Sequence, residues 1–189
     1  MGYNFLRTRA VSTGPHEPGM PSTPTLAEKY PPSPPCSCDI CLAYCARPGW
    51  WTVAEAAAAL DAGYGKRMML EMAPDLSFGV LSPAFNGCES AFAENRCAAN
   101  GCNFLKENLC ELFGTGHQPL ECRFCHHDRR GQGPVCHADL EKDWNSSAGR
   151  RLVVRWSKQA GLWDEMKTYQ FDWLEQGKKR IHHGKSAGR

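Results

Sequence analysis

Large apolar residues are sparse along this chain, and they gather into periodic stretches in only a few places. The clearest is the segment from Asp139 to about Ala160. There Leu140, Trp144, Leu152, Val153, Trp156 and Ala160 recur at three- and four-residue steps, the period of one helix face. Gly149 is placed to divide the segment into two helices, and Trp163 and Phe171 extend its packing. A second helix is marked by its start: Thr52 and Glu55 form a capping box before an alanine-rich run to about Ala62, ended by Gly63. Lys66 to Met72 reads as a further short helical stretch, stopped ahead of Pro74.

The intervening chain carries little pattern. Residues 75–101 read as irregular loop punctuated by Gly79, Pro83, Gly87 and Gly101. Asn103 to Phe113 admits either a short helix or a strand pair around Cys110, and Gly114 to Pro119 is a turn. Residues 1–35 are dense in Pro, Ser and Thr and read as a disordered spacer, in which Met20 is an alternative start and the proline run an alternative SH3-type ligand. Residues 36–175 form the expected domain, and 176–189 a solvated basic tail holding His182 and His183. The fold class expected is mainly α with extensive irregular loops, in one small domain stabilised by metal.

Composition explains why metal enters that expectation. Only 42% of the 189 residues are hydrophobic, and that share counts 11 cysteines and the alanine run. So thin an aliphatic core calls for another source of stability. An odd cysteine count argues against a closed disulfide framework. The N-terminal residues lack the apolar stretch of a signal peptide, Leu6 stands where a myristoylation signal wants Ser or Thr, and no run approaches the roughly 18 apolar residues of a membrane span. The expectation is a cytoplasmic protein with no membrane partner, in a compartment where clustered thiols signify metal or redox chemistry. Net charge is +2, which gives no bulk attraction to nucleic acid.

The cysteines fall into two groups. The first is Cys36, Cys38, Cys41 and Cys45; the second is Cys102, Cys110, Cys122, Cys125 and Cys136, with His126, His127 and His137 beside them. Cys88 and Cys97 lie between. Thiols two or three residues apart can aim several sulfurs at one point, and thiolates are soft donors suited to zinc, copper(I) and iron–sulfur clusters. Cys38, Cys41 and Cys45 supply three donors, and the second group is the source of the remainder. The pattern suits iron–sulfur ligation, and it suits a structural zinc site completed by Cys or His.

The order of these motifs resembles the YkgJ-type cysteine-cluster proteins, described as zinc- or iron-chelating. Cys38, Cys41 and Cys45 fall where that family has its CxxCxxCC run. Cys102 to Leu105 resembles its C-x-x-L segment, Cys110 to Phe113 its C-x-I-Y segment, and Pro119 to Phe124 its R-P-x-x-C-R-x-F segment, with Cys136 at its helix-opening cysteine. The likeness spans about residues 36–145. Tyr44 takes the place of one of the paired cysteines, Gln118 replaces the arginine before the proline, and Cys125, His126 and His127 are additions. The resemblance implies a metal centre with ligands among Cys38, Cys41, Cys45, Cys102, Cys110, Cys122 and Cys136, holding an iron–sulfur cluster by preference or zinc. Flagellin lysine N-methylases resemble the same family, but no methyl-donor site is evident in this chain.

Two other readings stand beside a metal-centre protein. One is a metal-dependent enzyme, with His126, His127, Asp128 and Arg123 as polar candidates flanking the second group; HExxH, GxSxG and P-loop signatures are absent. The other is a zinc-dependent interaction module using Arg129, Arg130, Arg150, Arg151 and Arg155, although acidic residues interleave with them and no basic stripe emerges. Tyr44, Trp50, Trp51, Phe104, Phe113 and Phe124 read first as core and second as a shield around a cluster.

Overall fold

A computed structural model describes residues 23–169. The segments 1–22 and 170–189, with the alternative start, the tail histidines and Phe171, lie outside the described residues. The elements run in chain order: α1 (Leu26–Lys29), α2 (Asp39–Cys45), α3 (Val53–Asp61), β1 (Met68–Met72), β2 (Gly79–Pro83), β3 (Leu105–Lys106), β4 (Leu109–Cys110), α4 (Leu120–Phe124), α5 (Gly133–Trp144), α6 (Ser147–Ala160) and α7 (Trp163–Thr168). Most of the regular structure is helical, as expected, and long irregular stretches connect it into one domain.

The capping box at Thr52 forms as its residue types dictate. Thr52 Oγ1 accepts the Glu55 N–H at 3.1 Å, and Glu55 Oε2 accepts the Thr52 N–H at 3.0 Å. Glu55 also accepts the Leu120 N–H at 3.1 Å and pairs with Arg123 at 2.6 Å, so one carboxylate fastens α3 to α4. Arg123 is thereby committed to a structural ion pair.

The helix pair near the C-terminus divides differently from the expectation. α5 ends at Trp144 and Ser146 caps α6, its hydroxyl accepting the Gly149 N–H at 3.2 Å. Gly149 lies inside α6, where it permits a close approach: a Cβ there would stand 2.3 Å from the Trp144 carbonyl oxygen. Trp51, Trp144 and Trp156 are fully buried, and each indole finds an acceptor: His117 O, Trp51 O and Gly65 O, at 2.7, 2.8 and 2.9 Å.

Residues 66–83 depart from the expected helix and loop. Lys66 and Arg67 close a 3₁₀ turn (Tyr64–Arg67), and β1 and β2 then pair antiparallel with Leu70 opposite Leu81. Met and Leu favour helices in isolation. Here Met68, Met69 and Leu70 are all buried, as is every residue of β2, so the hairpin is covered on both faces and never shows two-residue alternation. Asn103 to Phe113 resolves in favour of strands, with Leu105 opposite Cys110.

The proline-rich stretch ahead of Cys36 packs against the domain over its described part. Tyr30 is buried edge-on against Phe124 at 5.0 Å and donates to Asp139 at 2.7 Å. Ser33 N–H donates to Arg123 O and its hydroxyl to Phe124 O, both at 2.8 Å. Arg129 donates to Pro31 O at 2.6 Å. These bonds deliver Cys36 to the segment that follows α4.

Candidate metal centre

Cys38 occupies the N-cap of α2 with extended backbone (φ −70°, ψ 157°). The first turn of α2 places Cys41 on the same side, three residues on. Cys36 approaches along the extended chain fixed by Ser33. Opposite them, His127 opens a 3₁₀ turn (His127–Arg129) just after α4. Its Nδ1 lies 3.5 Å from Cys36 Sγ, 3.6 Å from Cys38 Sγ and 3.5 Å from Cys41 Sγ. All four donor atoms fall within 4.8 Å of one another.

The surroundings prepare these donors. His127 Nε2 faces the Asp128 carboxylate at 3.0 Å, which leaves Nδ1 for the sulfurs, an arrangement common to metal-bound imidazoles. The backbone N–H of Cys41 is the largest influence lowering the Cys38 thiol, to about 7; Cys36 and the N–H of Ile40 add to it. Burial pushes Cys41 up to about 11, opposed by the N–H of His127. His126, buried, stacks on His127 with ring centroids 4.0 Å apart and accepts the Asp128 N–H at 3.3 Å, so it supports the turn. His126, His127 and Asp128 also form a compact donor group, which shares His127 with the thiol set.

The site residues expected from sequence are thus dispersed over more than one place. Cys38 and Cys41 join Cys36 and His127. Cys45, at the end of α2, and Cys102, Cys110 and Cys122 lie outside that group. Cys136 is fully buried within α5, beside Cys125, and burial pushes it up to about 12. Cys88 and Cys97 sit in a satellite core with Met69 and Ala84. No disulfide links any of the cysteines.

The other sequence candidates divide by burial. Trp50, Trp51, Phe104 and Phe124 belong to the core, whereas Tyr44 and Phe113 are exposed. Arg150 donates to Asn145, and Arg155 pairs with Asp61. A cavity of about 160 Å³ opens beside His126, Cys125 and Tyr44. A larger one, about 470 Å³, lies between α3 and α6 along Val53, Ala57 and Leu152, with no cysteine in its lining.

Cys36 and His127 lie outside the ligand set that the resemblance implies. Their membership depends on the extended run from Ser33 and on the turn after Cys125, neither of which leaves a periodic trace. The CxC spacing of Cys36 and Cys38 was the available signal.

Fold and site together define a small, mostly helical, cysteine-rich domain with a Cys₃His group able to hold a metal ion. No family model, curated protein or solved structure matches the chain. Among the described residues, no helix is long and apolar enough to cross a membrane.

Proposed function

We propose that the protein is a zinc-binding protein whose ion, held by Cys36, Cys38, Cys41 and His127, locks the N-terminal thiol segment onto the turn after α4. One observation carries this reading. Tetrahedral zinc, with Zn–S of about 2.3 Å and Zn–N of about 2.0–2.1 Å, sets each sulfur about 3.6 Å from the nitrogen. The three separations here are 3.5, 3.6 and 3.5 Å. Donors this close suit a single ion. In an iron–sulfur cluster each thiolate binds its own iron, and the ligands stand further apart.

Four protein donors complete a tetrahedral shell, the signature of a structural site. The role is therefore a metal-stabilised scaffold, in which binding and folding are coupled. The motif order resembling YkgJ-type zinc- or iron-chelating proteins supports the metal reading, and reduced thiols fit a cytoplasmic setting. The test is zinc content and thermal stability of the full chain before and after chelation. One zinc per chain at this site, with its removal lowering the melting temperature, is the expected result; a Cys36→Ser variant that keeps full zinc would overturn it.

A further inference from the structure

The cavity of about 160 Å³ opens at the start of α5, between α2, the end of α4 and the turn that leads into α5. That turn is tight. The Gln132 N–H donates to the Arg129 carbonyl at 3.0 Å, and Gly131 takes the left-handed conformation (φ +80°) between them. It brings Arg129 and Gly133 to the same hollow as His126. None of the four donors of the Cys₃His group lines that hollow.

Three kinds of donor meet there without an acceptor. His126 is 6% exposed, and its Nδ1 accepts the Asp128 N–H at 3.3 Å, so the neutral ring carries its hydrogen on Nε2. That nitrogen has no hydrogen-bond partner among the described residues, yet it is not sealed in, so it opens on the cavity that the ring lines. Arg129 lays its guanidinium over Phe124, 4.6 Å from the ring centre, and engages only Nη1, with Pro31 O at 2.6 Å and Phe124 O at 3.5 Å. No carboxylate pairs with it among the described residues. The N-cap of the twelve-residue α5, Gln132, makes no side-chain capping bond, and the first turn of the helix has no acidic residue. Among the described residues, the Gly133 and Val135 N–H groups have no acceptor; the Cys136 N–H is the first that does, bonding Gln132 O at 3.2 Å.

We infer that this cavity is a binding site for a small oxyanion, a phosphate or a carboxylate. No acidic side chain lines it, and Asp128 approaches the other nitrogen of His126, at 3.4 Å, from outside the lining. A helix N-terminus with free N–H groups favours an anion through both its donors and its dipole. A guanidinium matches the paired oxygens of a carboxylate or phosphate. A buried donor without an acceptor is costly, and an oxyanion oxygen at His126 Nε2 removes that cost. The volume lies below the roughly 300–1,000 Å³ of sites for drug-sized ligands, which fits a small anion and excludes a nucleotide. The inference stands apart from the zinc reading, because the two sites share no side chain.

The experiment is titration of the zinc-loaded full-length chain with inorganic phosphate and, separately, with acetate, ionic strength being held constant with chloride. The amide resonances of Gly133 and Val135 are followed. At least one of the two anions should move both resonances along a saturable curve, and the tighter of the two identifies the ligand class. A Cβ on Gly133 would meet nothing within 4 Å, so Gly133→Asp is accommodated. Its carboxylate takes the place of the anion and should weaken binding, read at Val135, by about 10-fold or more. Arg129→Gln leaves α5 intact and should weaken binding by about 10-fold. Resonances that neither anion moves, or that chloride moves equally, would overturn the inference, and so would full affinity in both variants. Zinc content measured alongside keeps the two readings apart: wild type that binds the anion without holding zinc counts against the Cys₃His site alone.

Discussion

The imidazole of His127 stands 3.5 Å from the Cys36 sulfur across 91 residues of chain. The contact exists because Ser33 and Arg129 tie the chain before Cys36 to the end of α4 and the turn after it. The Cys₃His group is thus a long-range closure. Its ion would join two segments that are otherwise held by a few hydrogen bonds and the burial of Tyr30.

Asp128 tests that arrangement without removing a ligand. Its carboxylate faces His127 Nε2 at 3.0 Å and is largely exposed. Loss of such a partner costs about 10–100-fold in metal affinity, and exposure puts Asp128→Asn near the lower end, at about 10-fold. Competition with a chromogenic zinc chelator measures this. An unchanged affinity would mean that the carboxylate does not orient the ring.

Gly49→Ala tests the close approach of the chain after α2 to α4. The added Cβ would meet Cys122 Sγ and N at 2.9 Å, while the Cys₃His donors are untouched. The variant should lose about 1–3 kcal/mol in urea unfolding at constant zinc content. An unchanged urea midpoint would contradict the tight contact between Gly49 and Cys122.

Cys136 lies within α5, fully buried and pushed up to about 12 by that burial. It behaves here as a small apolar side chain. Cys136→Ala should therefore leave zinc content unchanged and cost about 1 kcal/mol in urea unfolding. A drop in zinc content would return Cys136 to the ligand set.

How far these features could be read in the sequence depended on whether they were local. Thr52 and Glu55 announced α3 because both halves of the box lie within one turn. Leu152, Val153 and Trp156 announced α6 because one of its faces is wet. Met68 to Leu70 misled because the hairpin is buried on both sides, and an apolar run without alternation looks the same in helix or strand. The thiol groups were visible as spacing, and their division was not: Cys41 and Cys45 share α2, yet Cys41 joins Cys36, Cys38 and His127 and Cys45 stays outside that group.

Gly149 offers a check on the fold itself. Its missing Cβ lets α6 begin against the end of α5, 2.3 Å from the Trp144 carbonyl oxygen by the position a Cβ would take. Gly149→Ala should destabilise the protein by about 2–3 kcal/mol, the scale of overpacking in a dense interior. Urea midpoints against wild type measure it, and an unchanged midpoint would contradict the helix junction described here.

Glu71 should set part of the pH dependence. Burial is the main cause raising its carboxyl above the ordinary 4.5; Ser82 and Trp50 donate to Oε1 at 2.5 and 3.0 Å and oppose that rise. A carboxyl raised in the folded state holds its proton more tightly than in the unfolded chain. Its contribution is then fully present below about pH 4.5 and is lost as pH climbs through the folded value. Glu71→Gln keeps an oxygen for both donors and removes the charge, so it should be at least as stable as wild type at neutral pH, with a flatter profile above pH 4.5. Equal loss of stability in the variant at every pH would assign Glu71 a purely geometric role.

The central claim is tested most directly by zinc-edge X-ray absorption on the zinc-loaded full-length chain. Three sulfurs at about 2.3 Å and one nitrogen at about 2.0–2.1 Å are expected, the nitrogen vanishing in His127→Ala. A shell of four sulfurs, or one made of oxygen and nitrogen alone, would contradict the Cys36, Cys38, Cys41 and His127 site.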